Sequence, residues 1–136
     1  MTQVSIAVGV LVVALAVGAL LRRRRTVDAP TQPIAAVPAQ IDRADFVTEV
    51  PWLVAVFSSA TCSTCADVVA KAGVLASSDV AVVNVEYPVA AELHRKYHVD
   101  AVPIVVIADQ TGVVRASFVG PVTATDLWAA VAEARG

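Results

Sequence analysis

Cys62 and Cys65 are the only two cysteines in the chain, and Ser63 and Thr64 separate them. They stand between an apolar run, "WLVAVF" (Trp52–Phe57), and a segment with helical periodicity, "CADVVAKAGVLASS". A cysteine capping a helix faces unpaired backbone N–H groups and the positive end of the helix dipole, which favour a thiolate. The thiolate is the nucleophile of thiol–disulfide exchange, and a second cysteine one turn later can close a disulfide with the first. Here Cys62 is the attacking thiol and Cys65 the resolving one. Two other readings use the same residues. A C-x-x-C is half of a four-ligand zinc site, and His94 and His98 in "HRKYH" have a spacing that supplies the other half. Histidines on a charged helix face are more usually solvent-exposed, so no metal and no other cofactor is expected. The third reading is two small buried hydrophobes without chemistry.

Several elements must position this pair. Trp52–Phe57 reads as a strand buried on both faces. The helix after the cysteines places Val68, Val69, Ala72 and Leu75 on one face. "VAVVNVEY" (Val80–Tyr87) is a second strand, and "VAAELHRKYHV" a helix with Ala90, Leu93 and Tyr97 inward. "PIVVIAD" and "VVRASFVG" flank the turn signal "DQTG" and read as a hairpin. Thr123 is an N-cap for a closing helix whose inward stripe is Leu127, Ala130, Val131 and Ala134. Ahead of these, "DRADFVTEV" reads as one or two helical turns, and "IAAV" as an added edge strand. The order β-α-β-α-β-β-α implies an α/β fold. Two right-handed β-α-β crossings form a parallel part, the hairpin adds an antiparallel edge, and helices cover both faces.

Hydrophobic residues make up 57% of the 136-residue chain, and much of that excess is at the front. Val4–Leu21 carries no charge and as a helix spans roughly 27 Å, close to the thickness of a bilayer core. No Lys or Arg precedes it and Arg22, Arg23, Arg24 and Arg25 follow it directly, so it reads as an uncleaved transmembrane anchor rather than a signal peptide. Positive flanks stay cytoplasmic, which places the C-terminal domain in the cytosol and Met1 outside. The opposite topology would turn the same dithiol toward exported proteins. The expected organisation is an anchor over 1–25, a Pro-containing linker over 26–40 and one domain over 41–136. Four of the ten Lys and Arg belong to the flank, leaving six against twelve Asp and Glu, a net charge of −6 beyond Arg25. Without a basic patch, nucleic acid is excluded as a partner. A cysteine pair between a strand and a helix, in a domain facing a reducing cytosol, favours the redox reading.

The domain resembles the thioredoxin family over about residues 41–136. "WLVAVFSSATCSTC" is similar to the family's apolar strand leading into a W-C-G-P-C helix start. "NVEYPVAAELHRKYHVDAVPIVVI" is similar to the stretch from an N-x-D strand end, through a K-Y-x-[IV] helix, to a G-[IV]-P-T strand. "GVVRASFVGPVTATDLWAAV" is similar to the closing hairpin, Gly turn and last helix. The resemblance implies a thiol–disulfide oxidoreductase, which the N-terminal anchor would tether to the membrane and which is expected to be a monomer. Its partners would be protein disulfides or dithiols and an electron donor or acceptor. It implies that Pro103 is cis and packs against the cysteines, that the Val102 backbone pairs with an extended substrate, and that Gly120 lets that substrate approach. The chain departs from the family in its supporting chemistry. Thr61 replaces the tryptophan before the first cysteine, Ser63 and Thr64 replace Gly-Pro, Val56 replaces the buried acid, and Val82 stands in place of the nearby lysine. Asp67, the nearest downstream carboxylate, reads as a solvated helix residue. These departures leave a second function open, a binding or scaffold module on the same fold.

Overall fold

The computed structural model describes residues 12–17, 19 and 36–136. The chain divides into a unit over Met1–Ile34 and a unit over Ala35–Gly136. In the first, residues 12–17 and 19 are helical and exposed. The rest of the expected anchor, its arginine flank Arg22–Arg25 and most of the linker lie outside the described residues. Among the described residues, no helix is long and apolar enough to cross a membrane.

The second unit runs β1 (Trp52–Ser59), α1 (Ser63–Gly73), β2 (Val80–Tyr87), α2 (Ala91–Lys96), β3 (Ile104–Ala108), β4 (Val114–Val119) and α3 (Ala124–Arg135). A 3-10 turn over Arg43–Phe46 precedes them, capped by Asp42, whose side chain accepts from the Ala44 N–H. The strands form one sheet in the order β2-β1-β3-β4. β1 has both faces covered, so its continuous apolar sequence meets apolar neighbours on each side. Leu53, Ala55 and Phe57 pack under α2 and the N-terminal turn with Ile41, Phe46, Val85 and Tyr97. Val54 and Val56 pack under α1 and α3 with Val68, Ala72, Leu127 and Val131. The sequence pattern therefore assigns strands, helices and inward faces well.

It misassigns one strand direction. β1 and β2 are parallel, but β3 runs antiparallel to β1, and β4 antiparallel to β3. Only one parallel crossing exists. The connection runs through the cis Tyr87–Pro88 peptide, α2 and the cis Val102–Pro103 peptide, and β3 begins at the end where β2 stopped.

The expected edge strand at "IAAV" is also absent as far as the described residues go. Ala36 and Val37 are not in a strand, and Pro38, next to them, has no N–H to donate to a ladder. The contact made there is one bridge, Gln40 to Val113, at the opposite side of the sheet from β2. The Ile41 N–H donates to the Gly112 carbonyl at 2.9 Å. Gly112 has φ +83°, and a Cβ there would lie 2.0 Å from the Ile41 oxygen, so this turn admits only glycine.

Candidate redox site

Cys62 is the N-cap of α1, with extended backbone, and its Sγ accepts from the Cys65 N–H at 3.2 Å. The helix start is therefore built around the sulfur, which takes one of the orphan donors of the first turn. Cys62 and Cys65 are joined in a disulfide, with their Cα atoms 5.3 Å apart. The two sulfurs differ in access. Cys65 is fully buried, whereas Cys62 is half-buried in the turn that leaves β1, its N–H held by the Ser59 carbonyl at 3.1 Å. Thr64 Oγ1 lies 3.9 Å from Cys62 Sγ. An incoming sulfur thus reaches Cys62, not Cys65.

Sheet register gathers the other expected residues at the same end. β1 and β2 finish together, Ser59 opposite Tyr87, and β3 starts there, Ile104 opposite Phe57. The Val102–Pro103 peptide is cis, with Pro103 buried and Val102 half-buried. β4 ends beside it, and the Gly120 N–H donates to the Pro103 carbonyl at 2.8 Å. Gly120 has φ +83° with open space where a Cβ would stand. Its glycine therefore serves backbone conformation, and the space next to it is free.

The face of the sheet below α1 is apolar where the resemblance expects an acid and a lysine. Val56 is fully buried, and Val82 packs into the same cluster. Asp67 is exposed and paired with Lys71 four residues on. Three features escaped the sequence reading. Ser58, 2% exposed, donates from its hydroxyl to Asn84 Oδ1, two residues nearer the strand ends than Val56 and Val82. Alternation along β1 places it on the α1 face with Val56, a signal that was available. A second cis peptide, Tyr87–Pro88, ends β2; nothing in the residue types marks one X-Pro bond as cis among several.

The third is His94, which is a correction. It is 6% exposed, not solvated, and its Nε2 donates to the Val85 carbonyl at 2.8 Å. Its ring meets Phe57 and Tyr87 edge-on at 5.3 and 5.7 Å. His94 stands three residues before the buried Tyr97, so both fall on the side of α2 that faces the sheet. His98 is exposed, with a left-handed backbone at φ 53°. Together with Ser59 and Val102 the two histidines line a cavity of about 780 Å³.

Solved structures with the same fold are thioredoxin-like proteins. StoA from Bacillus subtilis matches with a TM-score of 0.52 and 16% identity, covering 62% of this chain and 84% of that one. A mutant thioredoxin from Halobacterium salinarum matches at 0.61 and 22%, covering 74% and 88%. A thioredoxin from Fasciola hepatica matches at 0.54 and 24%, covering 62% and 82%. No protein-family model matches the chain. No characterised protein matches it by sequence either. The fold is thioredoxin-like, a four-stranded mixed sheet with helices on both faces.

Proposed function

We propose that this chain is a thiol–disulfide oxidoreductase acting on protein disulfides or dithiols. The observation that carries it is the asymmetric Cys62–Cys65 disulfide, with the accessible sulfur capping α1 and accepting its backbone N–H. In the reducing direction the Cys62 thiolate attacks one sulfur of a substrate disulfide. A Cys62–substrate bond forms, the substrate S–S bond breaks, and the first substrate sulfur leaves as thiolate and takes a proton from water. The Cys65 thiolate then attacks Cys62 Sγ, closing the disulfide and releasing the second substrate thiolate. The substrate gains two electrons and the domain loses two, so turnover needs a dithiol donor. The same steps run backwards oxidise a substrate dithiol. Val102 and Gly120 are the backbone positions that would hold the substrate strand, on either side of cis-Pro103.

The test is a redox titration followed by trapping. The Cys62–Cys65 pair should titrate as a two-electron couple in the folded protein, and Cys65→Ser should accumulate mixed disulfides that Cys62→Ser does not. Thiols that stay inert to both reductant and substrate would refute the reading.

A binding module remains the second reading, favoured by the apolar Val56 and Val82 under the cysteines. It requires that Cys62→Ser/Cys65→Ser leave the cellular phenotype intact. The N-terminal apolar segment and its arginines support a single membrane span with the domain in the cytosol. A reporter fused after Gly136 that is active only outside the membrane would reverse that orientation.

A further inference from the structure

His94, a buried residue in the wall of the cavity beside the redox site, has an unused ring nitrogen. His94 Nε2 faces a carbonyl, which only accepts, so the ring proton sits on Nε2 and Nδ1 of the neutral ring is a lone-pair acceptor. Nδ1 has no hydrogen-bond partner among the described residues. Arg43 Nε is the only fully buried side-chain polar atom there without a partner, so Nδ1 opens onto accessible space. The space that His94 lines is the cavity of about 780 Å³. Its other walls are apolar at Tyr87, Ala91, Val99, Ala101 and Val102 and polar at Ser59, Arg95, His98 and Asp100. Ser59 holds the Cys62 N–H, and Val102 precedes the cis proline, so whatever fills the cavity lies against the sulfur's approach.

We propose that the cavity selects a tyrosine or tryptophan side chain near the substrate's reactive cysteine, with His94 Nδ1 accepting its O–H or N–H. One side of the wall, Tyr87, Ala91, Val99 and Val102, is aromatic and aliphatic, which favours a ring there. His94 Nδ1 is an acceptor within a residue more than nine-tenths buried, which favours a ring carrying a donor. Phenylalanine would cover Nδ1 and leave it unpaired, and sites built for a hydrogen bond discriminate most strongly against a partner lacking it. Tyr87, in the wall, is itself exposed, which offers an apolar contact to the segment that carries the ring. Arg95, at the rim, is already paired with Glu92 at 2.5 Å. His94 is thus a positioning residue. It reads the substrate and does not touch the exchanging sulfurs.

This inference rests on the proposed exchange activity, so the experiment separates the two. The full chain, with dithiothreitol as donor, is given disulfide peptides of one apolar sequence. They carry Tyr, Trp, Phe or Ala at the two positions on either side of the cysteine. At one of these positions kcat/KM for Tyr and Trp should exceed Phe by about tenfold, the worth of one buried hydrogen bond. His94→Leu should collapse the Tyr-to-Phe ratio to about one. Tyr87→Ala, at an exposed residue whose loss the fold tolerates, should lower the Tyr and Trp peptides relative to Ala. A wild-type ratio near one at every position overturns the proposal, as does a ratio that survives in His94→Leu. If no peptide is reduced, the exchange reading falls. Calorimetry with cysteine-free Tyr and Phe peptides on the oxidised protein then decides the cavity alone, by the same ratio in Kd.

Discussion

Where β1 and β2 finish, the surface carries the exposed side chains of Tyr87, Val89 and Val119, a disulfide and an open cavity. Where β1 and β2 begin, it carries a dense polar fastening. There Arg43 donates to the carbonyls of Val50, Asp109 and Pro51 at 2.6, 2.9 and 3.4 Å. Asp109 accepts from the Thr111 N–H, the Thr111 hydroxyl, the Val113 N–H and Arg115 Nε. Beside them the N-terminal turn is tied to α2, since the Tyr97 hydroxyl donates to Asp45 and accepts from the Asp42 N–H. The contrast separates two tasks along one sheet. One end holds the fold by polar ties. The other end keeps its apolar surface and an accessible sulfur for a partner.

The comparison breaks if a change at either end has the consequence assigned to the other. Cys62→Ser should abolish exchange and leave the far end's fastening intact. Gly112→Ala should do the reverse. It forces a Cβ against the Ile41 carbonyl at positive φ, a clash that costs about 2–4 kcal/mol in denaturant titration. Below its unfolding midpoint, that variant should exchange disulfides at the wild-type rate. A slow but stable Gly112→Ala protein would show that the two ends are coupled.

Arg43→Met should follow, at about 2 kcal/mol, because it strips partners from three carbonyls while keeping most of the aliphatic stem. The Arg43 guanidinium is held below its ordinary value by burial, with Asp109 pulling the other way. Tyr97→Phe should cost about 1–2 kcal/mol, since it removes one hydroxyl that both donates and accepts. Both are read as shifts in the denaturation midpoint at constant slope. The Tyr97 variant sharpens the comparison most. Tyr97 starts the segment that leads to cis-Pro103, so an unchanged KM for peptide disulfides would confine its role to stability.

Sequence legibility follows the same division. The apolar runs of β1 and β3, the Thr123 cap and the inward Leu127 and Val131 are written in local pattern and appear as read. The disulfide's place at the start of α1 was legible because strand, cap and helix are adjacent in the chain. The direction of β3 was not read, because strand direction is set by pairing between distant segments and leaves no local pattern. His94 was misread because a charged helix of six residues has no clean face, and its burial depends on Phe57 and Tyr87 from other elements. The Arg43 hub was not legible either. Its partners are backbone carbonyls 7, 8 and 66 residues away, and carbonyls leave no mark on the sequence.

The smallest expected effect is the pH dependence of the fastening. Hydrogen bonds from Thr111 hold the Asp109 carboxyl down, at about 2, with Arg115 adding to the effect and desolvation opposing it. Asp45 is lowered as well, first by its hydrogen bond from Lys96 and then by that from Tyr97. Both folded values lie below the ordinary 3.8, so between that value and about 2 the unfolded chain binds more protons than the native one. Stability is then fully present above pH 5 and falls as the pH drops through this window. Asp109→Asn should be less stable at neutral pH and flatter against pH below 4. Added salt should trim the Arg115 share, since that side chain is 54% exposed. A wild-type curve with no extra slope between pH 4 and 2 would remove Asp109 from the fastening and leave Arg43 as its centre.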